Sequence, residues 1–150
     1  MTPTTTPIVA TNCVIMLDDA AGSPVNISGQ SNAVEIKPEN KNAEYRVFGS
    51  PWQQRKAGVG KDVTVTIKAV LTTTAAEVRA LIEGWYFGGQ DEARTLTVYM
   101  PDNNTGSGVY TMETVLNSYN IPLDAEADDV VRSTIELASH AVVGHGTVGS

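Results

Sequence analysis

The sequence predicts a mainly β domain, a sandwich or barrel of about seven or eight strands with one short α-helix packed on it. Three observations predict it. Asp62–Leu71 (DVTVTIKAVL) alternates strictly, with Val63, Val65, Ile67 and Ala69 on one face and Thr64, Thr66 and Lys68 on the other. Short β-branched segments recur along the chain, separated by clusters of Gly, Pro, Asn, Asp and Ser. A single stretch, from Thr74 to Trp85, carries helical periodicity.

In chain order, residues 1–7 (MTPTTTP), with four threonines and two prolines, cannot nucleate a helix and read as an extended arm. Residues 8–17 are apolar and β-branched, as in a buried strand. Asp18–Pro24 is turn chemistry, and a second strand at Val25–Ser28 would complete a hairpin. Residues 33–37 alternate weakly as a strand, Pro38–Asn42 breaks it, and Glu44–Phe48 resumes as another short strand. Gly49–Lys61 holds three glycines and a proline with no sustained period, and reads as a long functional loop.

Thr74-Ala75-Ala76-Glu77 matches a capping box, in which each end's side chain satisfies the other's backbone N–H. Val78, Leu81, Ile82 and Trp85 follow on one apolar stripe, and Gly88-Gly89 ends the helix. Arg94–Met100 alternates, with Leu96, Val98 and Met100 on one side. Pro101–Gly108 is a dense turn, so the long strand Val109–Tyr119 should return as a hairpin. Asp124, Glu126, Asp128 and Asp129 form an acidic turn, and Val130–Ser139 is a last strand with Val131, Ile135 and Leu137 inward. The division is therefore an arm (1–7), one β domain (8–139) and a Gly-rich tail (140–150).

At 150 residues the chain amounts to one domain. No apolar run approaches the roughly 20 residues needed to cross a bilayer, so no direct membrane insertion is expected. The seven N-terminal residues lack the basic and apolar regions of a secretory signal. Ten basic and 17 acidic residues give a net charge of −7, which disfavours tight binding to phosphate backbones. The single Cys13 has no disulfide partner within the chain, fits a reducing compartment, and sits in an apolar run as a small buried hydrophobe.

Catalytic chemistry is hard to find. The two histidines, His140 and His145, are five residues apart in the Gly-rich tail, a poor arrangement for a shared metal. Gly58-Val59-Gly60-Lys61 lacks the first half of a phosphate-binding loop and the Ser/Thr after Lys, and precedes a strand where a helix is required. Asp124-x-Glu126-x-Asp128 is spaced like a Ca²⁺ loop but lacks its central Gly and bidentate Glu. No catalytic, metal or cofactor site is expected.

The order of parts carries a resemblance. Gly58–Leu71 (GVGKDVTVTIKAVL), the helix Thr74–Trp85, Thr95–Pro101 (TLTVYMP) and Asn117–Ala138 (NSYNIPLDAEADDVVRSTIELA) follow one another as in the tail tube (major tail) proteins of long-tailed bacteriophages, and the chain resembles that family over most of 8–143. The family is related in fold to type VI secretion tube proteins. The resemblance implies a structural virion protein of a siphophage tail, assembled in the host cytoplasm. Six copies would form a ring whose inner sheets join into one barrel, and rings would stack into a hollow helical tube that conducts DNA without binding it. Partners would be further copies of the chain, tail tip or baseplate and terminator proteins, and a tape measure protein in the lumen. Within that picture Trp52, Arg55, Lys56 and Lys61 are the expected inter-subunit contacts, and the arm and tail are expected to dock on neighbours. A tail terminator, a baseplate hub component, a capsid decoration protein or a ligand-binding β-sandwich are the alternatives. The last would need aromatics clustered on one face, whereas Trp52, Tyr86, Tyr99, Tyr110 and Tyr119 fall in separate segments.

Overall fold

Alternation builds one antiparallel sheet. The computed structural model describes residues 10–29, 31–72, 77–88, 92–100, 102, 104–125 and 130–149. A 3-10 turn at Ala10–Asn12 leads into β1 (Val14–Asp18), β2 (Pro24–Asn26), β3 (Ser31–Tyr45) and β4 (Gln54–Val70). The helix α1 (Val78–Phe87) follows, then β5 (Arg94–Met100), β6 (Gly108–Asn120), β7 (Arg132–Ser139) and β8 (Gly144–Thr147). The sheet runs β2-β1-β5-β6-β7-β4-β3, with β8 added on β6. Its two ends do not pair, so it is an open sheet and not a closed barrel. No described helix is long and apolar enough to cross a membrane.

One face of the sheet is apolar because facing residues share parity. Leu17, Leu96 and Met112 lie opposite one another across β1, β5 and β6. Val65, Leu137 and Leu116 do the same across β4, β7 and β6, with Ile67 opposite Ile135 in the next row. Helix α1 lays Val78, Leu81, Ile82 and Trp85 onto the same cluster. Fully burying one such side chain contributes about 1.5–3 kcal/mol, which makes this stripe the main reason a ten-residue helix persists.

A buried cation braces the helix. Arg94 opens β5 with the parity of Leu96 and Val98, so its side chain points inward and is 4% exposed. Its guanidinium carbon lies 4.9 Å from the centroid of the Trp85 ring, and Nη1 donates to the Leu81 carbonyl at 3.4 Å. Trp85 Nε1 donates to the Glu92 carbonyl at 2.9 Å, and the buried Thr114 hydroxyl donates to the Arg94 carbonyl at 2.9 Å. Burial lowers the Arg94 pKa, and Glu92, Asp19 and Asp18 act against that shift. A guanidinium stays charged through such a shift, so the stack on Trp85 is a cation–π contact.

Several local expectations are corrected. Residues 8–17 were expected as one strand; the strand starts at Val14, after the turn at Ala10–Asn12. The break at Pro38–Asn42 and the loop Gly49–Lys61 do not hold: β3 runs through Pro38 to Tyr45, and β4 begins at Gln54. Pro38 is tolerated because β3 is an edge strand, where a missing N–H need not interrupt the ladder. Helix α1 starts at Val78 with Glu77 as its N-cap and no side-chain capping bond; Glu77 accepts instead from the Thr72 hydroxyl. Thr74 of the expected capping box lies outside the described residues. The segment 140–150, expected as a tail, contributes β8, whose residues 144–147 pair with Gly108–Thr111. Cys13 is only partly buried.

Replacing the fully buried Ile67 by Ala should cost 2–5 kcal/mol. Equilibrium denaturation checks this, and a loss under about 1 kcal/mol would contradict the placement of Ile67 at the centre of the core.

Candidate assembly surfaces

The most unusual feature is a long β-ribbon that leaves the body. β3 and β4 stay paired from Ser31 opposite Ala69 out to Tyr45 opposite Gln54. Beyond Lys37 the described side chains up to Gly58 are exposed, Ser50 and Gln54 excepted. The nine residues from Lys37 to Tyr45 project about 30 Å at roughly 3.3 Å per residue. A two-stranded ribbon by itself is marginal in water, so this arm is a structure that a partner would stabilise.

The arm has a built-in irregularity. Lys41 pairs with Gly60 but Ala43 pairs with Lys56, so extra residues of β4 bulge opposite Asn42. Gly58 takes φ +70° there, and its N–H donates to Asn42 Oδ1 at 3.1 Å. A side chain at positive φ is strained, so glycine is required at this place. Such a bulge increases the local twist of a ribbon and re-aims what lies beyond it.

Beyond the bulge lies an apolar tip. Phe48 is fully exposed and Trp52 is 78% exposed, with Val47 and Tyr45 about half exposed beside them. Residues 47–54 carry no charge, whereas Arg46, Arg55 and Lys56 flank them. Arg55 Nε is paired within the chain with Glu44 Oε1 at 3.0 Å, both side chains being well exposed. The structure thus brings Trp52, Arg55 and Lys56 together at the outer end of the arm. Lys61 is not with them: it lies inward of the bulge, opposite Asn40.

Charge is divided between the β3–β4 pair and the rest of the chain. Residues 31–70 hold seven of the ten basic residues (Lys37, Lys41, Arg46, Arg55, Lys56, Lys61 and Lys68) and four acids (Glu35, Glu39, Glu44 and Asp62), a net +3. The remaining three basic and thirteen acidic residues leave the rest of the chain at −10. On the body, Asp18 and Glu113 flank Thr95 on neighbouring strands, and the Thr95 hydroxyl donates to Glu113. Burial raises the Asp18 pKa, and Glu113 and Asp19 add to the shift. Of the expected acidic turn, Glu126, Asp128 and Asp129 lie outside the described residues. Among the described residues no group of three or more His, Cys, Asp or Glu is placed to hold a metal. His145 faces Tyr110 in the β6–β8 ladder, and the His140 N–H donates to the Glu113 carbonyl at 2.8 Å.

The open seam of the sheet forms a groove. β3 ends the sheet yet curls back opposite β1, leaving a cavity of about 710 Å³ between them. Its walls include Cys13, Ile15, Val34, Ile36, Met100 and Tyr110, and no charged residue lines it. Val34 and Ile36 share the face of Ile67 and Val65 on β4, so the groove is core-type surface that the described residues leave uncovered. The body side is tied near the seam by Ile15 N–H to Ser28 Oγ at 2.8 Å and by Ser31 N–H to the Ile27 carbonyl at 3.2 Å.

An open sheet with one packed helix, a long arm and free edges matches known structures. One is the tail tube of SPP1, with a TM-score of 0.72 at 12% identity, covering 96% of this chain and 80% of that one. The chain has the tail-tube fold. A chain of the anti-feeding prophage baseplate, in a 6-fold symmetrised structure, gives a TM-score of 0.74 at 12% identity, covering 97% and 99%. A chain of the tail of an empty gene transfer agent particle, with C6 symmetry and helical refinement, gives 0.66 at 16% identity, covering 89% and 94%. No protein-family model matches the sequence, and no curated protein does.

The sequence singled out Trp52, Arg55 and Lys56 but not Phe48, hid the arm that carries them, and gave no prominence to Arg94. The signal for Arg94 was its parity with Leu96 and Val98.

Gly58→Val should strain the arm by about 1–2 kcal/mol, because a β-branched residue is forced into the left-handed region. The body should keep its thermal midpoint while amide exchange in residues 40–45 speeds up; unchanged exchange there would contradict the bulge. Asp18→Asn should raise the thermal midpoint at pH 7. The folded-state pKa is raised, so ionisation is penalised in the fold, and that penalty is absent below both pKa values. The gain should therefore vanish near pH 3, and equal midpoints at pH 7 would contradict it.

Proposed function

We propose that this chain is the tube subunit of a phage tail or of a related tail-like particle, a structural self-assembling protein and not an enzyme. The observation that carries this is the exposed β3–β4 arm on an open sheet of tail-tube fold. Such an arm has no use in a monomer. A free sheet edge is a liability in an isolated chain, and joining edges around a ring removes it. Rings are proposed to contain six copies, in line with the six-fold symmetry of two of the similar structures. Head-to-tail contacts that do not close produce an open helical stack.

In this arrangement the arm reaches from one ring to the next. Trp52 is the anchor, because buried aromatic residues commonly dominate interfaces. Arg55 and Lys56 exchange their exposed surroundings for acids on the neighbouring copy, and Lys61 meets it nearer the arm's root. The division of charge, +3 on residues 31–70 against −10 elsewhere, favours laying an arm on another copy's body. The segments 1–7 and 140–150 are proposed to add contacts to neighbours, the second through β8. The lumen conducts DNA, which the net negative charge keeps from sticking. Baseplate, terminator and tape measure proteins would be the other partners, and the location is the virion tail.

Negative-stain electron microscopy of the purified chain, alone and with a tail-tip complex, tests this. Hollow tubes or six-fold rings are expected. Phe48→Ala with Trp52→Ala should keep the wild-type thermal midpoint, since both side chains are exposed, and should abolish tubes. A chain that stays monomeric even with the tail-tip complex would overturn the proposal.

A further inference from the structure

We infer that the uncharged groove at the open seam is the receptor for the arm tip of a second copy. This rests on the tube proposal and names the site that receives the arm. The two surfaces match in chemistry. The groove is walled by Ile15, Val34, Ile36, Met100 and Tyr110 with no charged residue, and the tip, residues 47–54, presents Phe48 and Trp52 with no charge of its own. At 710 Å³ the groove is in the size range of cavities that enclose a sizeable ligand. Two aromatic side chains bury roughly 300–500 Å² together, which suits a contact made many times over in a stack.

A tip that enters the groove belongs to another copy. Val34 and Ile36 belong to the root of the same arm that carries the tip. From Ile36 to Tyr45 the chain runs out along an extended ribbon for about 30 Å at roughly 3.3 Å per residue, and the tip lies beyond it. A paired ribbon does not fold back on its own root. Tip and groove are therefore two different patches of one chain, separated by a fixed length, which is the geometry of a heterologous contact that propagates. The basic residues flanking the tip, Arg46, Arg55 and Lys56, then come to rest on a copy whose residues outside 31–70 carry a net −10, which favours laying the arm there.

Cys13 makes this directly testable, because it lines the groove and is the chain's one cysteine. Ser50→Cys places a second thiol at the tip while keeping Phe48 and Trp52. Tubes of this variant, treated with an oxidant or with a short bis-maleimide, should give a ladder of cross-linked multimers on a denaturing gel. Peptide mapping by mass spectrometry should place the cross-link between Cys13 of one copy and position 50 of the next, and the unaltered chain treated in the same way should give no ladder. Tubes in which neither Ser50→Cys nor a companion Gln53→Cys variant cross-links to Cys13 would overturn the groove as receptor and leave the tube proposal standing. An unaltered chain that forms no tubes with a tail-tip complex would remove the tube proposal and this inference together. As a second measurement, Ile36→Glu puts a charge into the partly exposed groove wall; the subunit should remain folded by circular dichroism and lose polymerisation at least tenfold. Wild-type polymerisation by a folded Ile36→Glu subunit would also overturn the inference.

Discussion

The sheet depends on the register of β6. This strand pairs with β5 along its first half, with β7 along its second, and with β8 on the edge opposite β5. Thr114 is the crossing point: it faces Arg94 on one side and Ser139 on the other, is fully buried, and donates its hydroxyl to the Arg94 carbonyl. A one-residue slip of β6 would turn Met112 and Thr114 out to solvent and bring charged Glu113 into the core. The helix is seated on the same arrangement, because Arg94, held inward by that register, carries the ring of Trp85. Helix, core and both halves of the sheet are thus positioned by one strand whose two edges are paired for most of its length.

The body is finished in the sense that its apolar rows face one another and the helix covers them. The seam and the arm are not. The groove exposes core-type surface on β3, and the arm presents two aromatic rings to water at the end of a ribbon that has little support of its own. Both features are unfavourable in an isolated chain and would become favourable together in the proposed assembly. Stability and assembly would then be linked. The arm is a region of low local stability in the free subunit, and docking would order it.

The sequence shows its strongest elements where one element is satisfied locally. β5 was legible over Arg94–Met100 because strict alternation needs only a single buried face. The helix stripe Val78, Leu81, Ile82 and Trp85 was legible because all four side chains serve one surface. The arm was not legible. Its strands bury neither face, so Lys37–Tyr45 and Gln54–Lys61 carry no apolar period. Pro38 looked like a breaker because the sequence does not say that β3 is an edge strand. Gly58 and Gly60 looked like loop residues because a bulge in a paired strand and a loop demand the same glycine. β8 was hidden for a similar reason, since a Gly-rich exposed strand held by backbone pairing alone leaves no side-chain pattern.

By itself the sequence determined the β class, the single helix, the inward face of each strong strand, the net charge and the absence of recognisable catalytic motifs. These follow from periodicity and composition, which act within a few residues of each position. Tertiary structure alone decided that β3 and β4 project as an arm, that Arg94 lies under the helix against Trp85, and that β3 faces β1, β5 and β6 across an open groove. Each of these depends on which strands become neighbours, and pairing between segments far apart in the chain leaves no mark in the local pattern of either one.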